Sequence, residues 1–256
     1  MEKNDVIFCT LTNHGYIKYT LNCLKSLENV GIKDKLHVYC SDKSSFEEIK
    51  ANHENTFYFK QDIIDENEKR LFKFTEKQFQ ETMILKMNVI HTCLQKAKYV
   101  LFTDGDIVYY RNGFIEYLLE NLKDDNILIQ NDKMEGCVSM GDKKPVCCAG
   151  FIFIKQTPVT LELFNFNTKD PFYKKYIELS NRLGNFDDQL YLRSLKNNHN
   201  DIIKMRLLPS YLFPTYYVVK SKKIPKNWDE KYLLHFNYLI GNTKMPTMKN
   251  HKSWFI

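Results

Sequence analysis

The segment Tyr99-Val-Leu-Phe-Thr-Asp-Gly-Asp-Ile-Val-Tyr-Tyr110 decides how the chain is read. Its first four residues are apolar and β-prone, a short run of the kind that buried strands carry. The run ends on Asp104 and Asp106, one glycine apart, and apolar residues resume at Ile107. Acids bracketed by core-type residues mark a strand end, where open α/β sheets hold their ligands. Two carboxylates one residue apart can both face a hard divalent cation if the chain bends between them, and Gly105 permits a bend. An Asp-Gly turn between two strands is the other reading of the same residues.

Upstream, Val6-Ile-Phe-Cys-Thr-Leu11 is a buried-type strand that ends in the polar loop Thr12-Asn-His-Gly15. Ile17, Leu21, Leu24 and Leu27 then recur at helical spacing, and Gly31 stops the helix. Leu36-His-Val-Tyr-Cys40 is a second strand, Ser41-Asp42 opens a short polar helix, and Thr56-Phe-Tyr-Phe59 is a third strand. This alternation predicts parallel strands flanked by helices, a Rossmann-like half. The loop after the first strand is where such folds hold a nucleotide, yet no G-x-G-x-x-G occurs there, which argues against a dinucleotide enzyme.

A long helix is expected from about Glu76 to Lys98, with Phe79, Met83, Met87, Ile90, Leu94 and Ala97 on one stripe. At about 100° per residue, Lys86 falls within that stripe. A lysine on a buried face must meet an anion or snorkel out of the packing. Further expectations are helices at Phe114–Leu122, Val159–Phe166 and Pro171–Asn181, strands at Ile127–Ile129, Cys148–Ile154, Ile202–Leu208 and Tyr211–Phe213, and a mobile loop from Met134 to Pro145. Ala149-Gly150 would let a ligand approach the backbone closely. Asn185-Phe-Asp-Asp-Gln-Leu-Tyr191 opens another helix, with Asp187 suited to an N-cap. His235 closes an apolar run, and a basic, aromatic tail from Met245 to Ile256 is placed to fold over the site.

The chain of 256 residues is 43% hydrophobic and 14% aromatic, enough for a full core and against disorder over most of its length. A net charge of +6, spread without a basic block, suits an anionic small molecule and excludes nucleic acid as the expected partner. No apolar stretch reaches the length of a membrane span, and the polar start Met1-Glu-Lys-Asn-Asp5 is unlike a signal peptide, so a cytoplasmic location is expected. Seven cysteines, most within apolar segments, fit reduced core residues, and Cys137, Cys147 and Cys148 lack paired zinc-site spacing. One domain is expected over residues 1–256, with a nucleotide-binding half to about 110 and an acceptor and metal-closing half beyond it.

Four features lie at strand ends or on adjoining helices in a fixed order: Phe102-Thr-Asp-Gly-Asp-Ile107, Ala149-Gly-Phe151, Asp188-Gln189, and His235-Phe-Asn237 followed by Gly241 and Lys244. In that order the chain resembles nucleotide-diphospho-sugar transferases of the GT-A fold, nearest to glycosyltransferase family 77 and related to the glycogenin-like family 8. It departs from family 8 in a longer histidine-to-glycine spacing and in lacking Lys-Pro-Trp. The resemblance runs from about Val6 to Lys244. It implies an α/β GT-A fold with a mixed, mainly parallel sheet, and a metal-dependent, retaining transfer of sugar from a nucleotide sugar, with UDP as the nucleotide. It places Asp104, Asp106 and His235 around Mn²⁺ or Mg²⁺, against the alternative of a core histidine at 235. It puts Lys86, Thr103, Gly105, Gly150, Gly241 and Lys244 at the donor, and Asp188 and Gln189 at the reacting sugar. Thr10, Leu11, Thr12 and Asn13 would cradle base and ribose, and Asp132 would touch the sugar or cap a turn. The acceptor would be a glycan, a glycoprotein or a small molecule. Competing readings are a nucleotidyltransferase acting on a sugar phosphate and a non-catalytic carbohydrate-binding module of the same fold.

Overall fold

Val6–Thr12 (β1) enters the core as a run of apolar and small polar residues, and everything that follows is built outward from it. The computed structural model describes residues 5–59, 77–133, 146–166, 187–199, 201–221, 227–239 and 241–256. The expected loop Met134–Pro145 and helix Pro171–Asn181 lie outside these residues.

The first unit alternates as expected: α1 (Ile17–Asn29), β2 (Leu36–Cys40), α2 (Lys43–Lys50) and β3 (Thr56–Tyr58). Asp42 caps α2 by accepting the Ser45 N–H, and Gly31, at φ 78°, ends the first helical segment. The long helix α3 (Lys77–Leu94) leads to β4 (Tyr99–Thr103), and after the acidic turn the chain forms β5 (Ile107–Tyr109) and α4 (Phe114–Leu122). Then come β6 (Ile127–Asn131), β7 (Cys147–Lys155), α5 (Pro158–Phe164), α6 (Asp188–Asn198), β8 (Met205–Leu207), α7 (Tyr216–Lys220), β9 (Leu233–His235) and α8 (Lys244–Asn250).

Seven strands form one sheet in the order β3-β2-β1-β4-β7-β6-β8, and β5 pairs separately with β9. Within the seven-stranded sheet of the described residues, β7 runs against its neighbours β4 and β6 and the other pairings are parallel, while β5 and β9 are antiparallel. The sheet is mixed and mainly parallel, as expected, and it continues unbroken past position 110. Alternate side chains face opposite layers. Val100 and Phe102 of β4 and Ile127 and Ile129 of β6 join a core beneath α3, α5 and α6. Leu101 and Leu128 join the core on the other face, with α1 and α4.

Two expectations fail locally. Tyr211–Phe213 is a turn, because the Pro209 carbonyl accepts the N–H groups of Leu212 and Phe213 and prolines at 209 and 214 bracket the segment. The strand expected at Ile202–Leu208 shrinks to β8, since Ile202 is exposed in a turn. The C-terminal tail docks on α1, where buried Asn22 donates to Ser253 O and accepts the Phe255 N–H, and Trp254 meets the Tyr19 ring edge-on.

Candidate active site

The strand order reverses between β1 and β4, and the acidic turn lies just beyond the C-terminal end of β4. That switch point is where an open α/β sheet leaves a crevice. Asp104 is anchored by its own N–H, which donates to Gly150 O at 2.7 Å. Gly105 does not adopt a left-handed conformation. Its need for glycine is steric instead: a Cβ there would lie 2.4 Å from Thr20 Oγ1 on α1.

His235 reaches this turn through backbone pairing. Ile107 of β5 pairs with His235 of β9, and the Phe236 N–H donates to Asp106 O at 3.2 Å. One ligand atom from each of Asp104, Asp106 and His235 lies within 4.8 Å of the others. His235 Nε2 stands 3.2 Å from Asp106 Oδ1 and 3.8 Å from Asp104 Oδ2. Asp106 and His235 are buried, whereas the Asp104 side chain is 34% exposed and opens the cluster to solvent. Asp106 Oδ1 is buried with no hydrogen bond among the described residues. A carboxylate oxygen in that position calls for a cation.

Register makes room for these groups. Between Ile129 and Gln130 the β6–β7 pairing jumps from Ile152 to Cys148, so Ala149, Gly150 and Phe151 bulge out of that ladder. Carbonyls of this segment serve the site: Gly150 O takes the Asp104 N–H, continuing the β4–β7 pairing, and Ala149 O takes Lys86 Nζ at 2.7 Å. A Cβ at Gly150 would sit 2.1 Å from His235 Cε1 and 2.8 Å from Asp104 Oδ2. The close approach that Gly150 allows is therefore that of the His235 and Asp104 side chains.

Lys86 does point from the buried face of α3 toward the acids, as its position on the stripe implies. Nζ donates to Asp104 Oδ1 at 3.2 Å and to Asp188 Oδ2 at 2.8 Å, besides Ala149 O. All three N–H groups of the ammonium thus meet protein acceptors, and Lys86 bridges the two carboxylates. Burial would lower its pKa, but Asp104 and Asp188 outweigh that and hold it above the usual lysine range. Lys244, at the start of α8, donates to Asp106 Oδ2 and to Tyr16 OH. Burial alone would raise the Asp106 carboxyl, but the Lys244 ammonium beside it keeps it well below the carboxylate range.

Asp187 caps α6 by accepting the N–H groups of Gln189 and Leu190. Asp188 accepts the Gln189 N–H with one oxygen and Lys86 with the other. Gln189 Nε2 reaches Asp132 Oδ2 at 3.4 Å. Buried Asp132 also accepts from Asn237 Nδ2 at 3.0 Å and from the Tyr238 hydroxyl, and burial raises its pKa. Thr10, Leu11, Thr12 and Thr103 are buried, so their side chains belong to the scaffold rather than to an open cradle. Asn13 is half-buried, and its Oδ1 accepts the Tyr16 N–H. Gly241 takes a left-handed φ of 57° in the turn that delivers Lys244.

Three contributors were not singled out from sequence: Tyr16, Cys148 and Gln130. Cys148 Sγ lies 3.4 Å from His235 Nδ1. Gln130 had a readable signal, as an amide continuing the apolar run of β6 into the core.

A sequence model of nucleotide-diphospho-sugar transferases matches residues 31–248. The chain is 26% identical to UDP-galactose:fucoside alpha-3-galactosyltransferase of Dictyostelium discoideum, aligning along 100% of its own length but spanning 44% of that relative. Among solved structures, the galactosyltransferase LgtC, crystallised with donor and acceptor sugar analogues, aligns at TM-score 0.58 and 12% identity over 97% of this chain and 96% of its own. The glycosyltransferase GlyE of Streptococcus pneumoniae aligns at TM-score 0.56 and 14% identity, over 98% of this chain and 64% of its own. Mouse xyloside xylosyltransferase 1 aligns at 0.55 and 13%, over 93% and 99%. At these identities the structural likeness speaks for the fold. No helix among the described residues is long and apolar enough to cross a membrane.

Proposed function

The chain belongs to the nucleotide-diphospho-sugar transferase family, and on that premise we propose that it is a metal-dependent, retaining glycosyltransferase. The carrying observation is the convergence of Asp104, Asp106 and His235 at the switch point of the sheet. A divalent cation held by these three would supply Lewis acidity to the diphosphate as negative charge grows on the leaving group. Two carboxylates and one imidazole suit Mn²⁺ better than the all-oxygen preference of Mg²⁺.

The protein's own groups then have separate tasks. Lys244 uses two N–H groups on Asp106 and Tyr16, which leaves a third for a phosphate oxygen. Lys86 holds Asp104 and Asp188 at fixed separation, keeping the metal-side and sugar-side carboxylates in register. Asp188 accepts sugar hydroxyls, and Gln189 lies beneath the anomeric carbon. For retention, the acceptor oxygen bonds to the anomeric carbon on the face from which the diphosphate leaves. The acceptor's proton passes to the departing phosphate oxygen, through an oxocarbenium-like transition state as in glycoside hydrolysis. The name of the Dictyostelium relative makes UDP-galactose the first donor and a fucoside the first acceptor to try.

The test is nucleoside diphosphate release from a panel of sugar nucleotides, with and without Mn²⁺ and a fucoside acceptor. Metal-dependent release with one donor is expected. Transfer of nucleoside monophosphate would indicate a nucleotidyltransferase instead, and donor binding without turnover would indicate a binding module.

A further inference from the structure

We infer that Gln130 is a positioning residue that holds His235 in its Nδ1–H tautomer and thereby turns a bare Nε2 toward the cation; this rests on the metal-dependent reading above. Gln130 is fully buried. Its amide nitrogen donates to two main-chain carbonyls, Phe213 O at 3.0 Å and Pro214 O at 3.1 Å. A carbonyl oxygen only accepts, so an inverted amide would set oxygen against oxygen twice. The amide orientation is fixed by that pair, and Oε1 must face His235 Nδ1, 2.9 Å away.

Because Oε1 is also only an acceptor, the proton has to be on Nδ1. Cys148 Sγ, 3.4 Å from the same nitrogen, could favour the opposite tautomer by donating to it. The thiol is the weaker partner at the longer distance, and Asn237 Nδ2 points at the sulfur from the other side at 3.7 Å. The amide oxygen decides.

The same carbonyl also fixes the histidine backbone: Pro214 O accepts the His235 N–H at 3.0 Å. Imidazole and amide are thus registered on one peptide unit. With Nδ1 protonated, three electron-rich atoms converge, namely Nε2, Asp106 Oδ1 and Asp104 Oδ2. That arrangement is repulsive unless positive charge lies among them, so Gln130 converts a histidine able to bond either way into a committed cation ligand.

Gln130→Met preserves side-chain length and removes the hydrogen bonds while leaving Asp104, Asp106 and His235 in place. Calorimetry on the full chain should show Mn²⁺ binding weakened about 10- to 100-fold, with an unchanged far-ultraviolet circular dichroism spectrum. Lost packing alone would lower the melting temperature without moving the Mn²⁺ affinity. In the unaltered, metal-free protein, long-range proton–nitrogen spectra of ¹⁵N-histidine at a pH where the ring is neutral should show His235 protonated at Nδ1 only. Equal Mn²⁺ affinities in the two proteins, or a wild-type proton on Nε2, would overturn the role of Gln130 and leave the metal site standing. A wild-type protein that binds no Mn²⁺ overturns the metal reading and this role together. Should Gln130→Met fail to fold, the wild-type tautomer decides alone.

Discussion

Lys86 Nζ and Asp188 Oδ2 stand 2.8 Å apart although 102 positions separate them in the chain. Both side chains are buried, at 3% and 9% exposure. The pair joins the interior of α3 to the first turn of α6 across the end of β4. Removing one partner of such a pair leaves an uncompensated charge, at a cost of about 3–5 kcal/mol. Lys86→Met should therefore unfold at markedly lower denaturant concentration, because Asp104 and Asp188 would then repel each other. Mn²⁺ should recover more stability in this variant than in the wild type, since it returns positive charge to the same acids. A loss below about 1 kcal/mol in chemical denaturation would show that solvent already screens the acids.

How much of this was legible in sequence depends on whether a signal is local. Lys86 could be placed because helical geometry fixes its direction relative to Phe79 and Ile90. The β1–α1–β2–α2–β3 alternation was legible for the same reason, since each period sits within one window of sequence. Strand order was not: nothing in Cys147–Lys155 says that it inserts antiparallel between β4 and β6, because pairing is settled by distant partners. The site divides along the same line. Asp104, Asp106 and His235 were visible as polar residues at the ends of apolar runs. The bulge at Ala149–Phe151 and the contacts of Gln130 and Tyr16 depend on register between segments far apart in the chain.

Gly150 should tolerate no side chain. Its backbone is not left-handed, so alanine is allowed conformationally, yet its methyl would lie 2.1 Å from His235 Cε1 and 2.8 Å from Asp104 Oδ2. The His235 and Asp104 side chains must move away from the cluster together. Gly150→Ala is expected to keep the fold and lose Mn²⁺ affinity by about tenfold or more, with turnover falling further, because ligand placement matters at the scale of an ångström. Calorimetry and a nucleoside diphosphate release assay measure the two effects, and wild-type values in both would show that His235 is not held where the structure places it.

Asp187 gives a pH-dependent term of definite sign. Burial, then the neighbouring charge of Asp188, pushes its carboxyl from the ordinary aspartate range up to about 6. The native state thus holds a proton that the unfolded chain releases, and this contribution to stability is lost as pH rises from about 4 through 6. Asp187→Asn keeps the oxygen that caps Gln189 and removes the charge. The variant should be more stable than the wild type at pH 7 by about 1 kcal/mol, discounted for the partial exposure of the group, and indistinguishable from it near pH 4. Paired urea titrations at the two pH values measure the gap; a gap independent of pH would mean that the charge is not the cause.

Cation binding should itself appear as stability. Asp106 Oδ1 is buried without a hydrogen bond among the described residues, and Lys244 keeps the carboxyl ionised. A ligand that binds only the folded state adds about 2.7 kcal/mol at a hundred times its dissociation constant. For a chain of this size that corresponds to a rise of about 5–10 °C in melting temperature. Mn²⁺ should produce such a rise, chelation should reverse it, and Mg²⁺ should do less because one ligand is an imidazole. Asp106→Asn replaces the carboxylate with a neutral amide whose oxygen can still accept from Lys244. Its melting temperature should start lower and respond little to Mn²⁺. If it rose as far as the wild type does, the cation would have to bind away from the turn between β4 and β5.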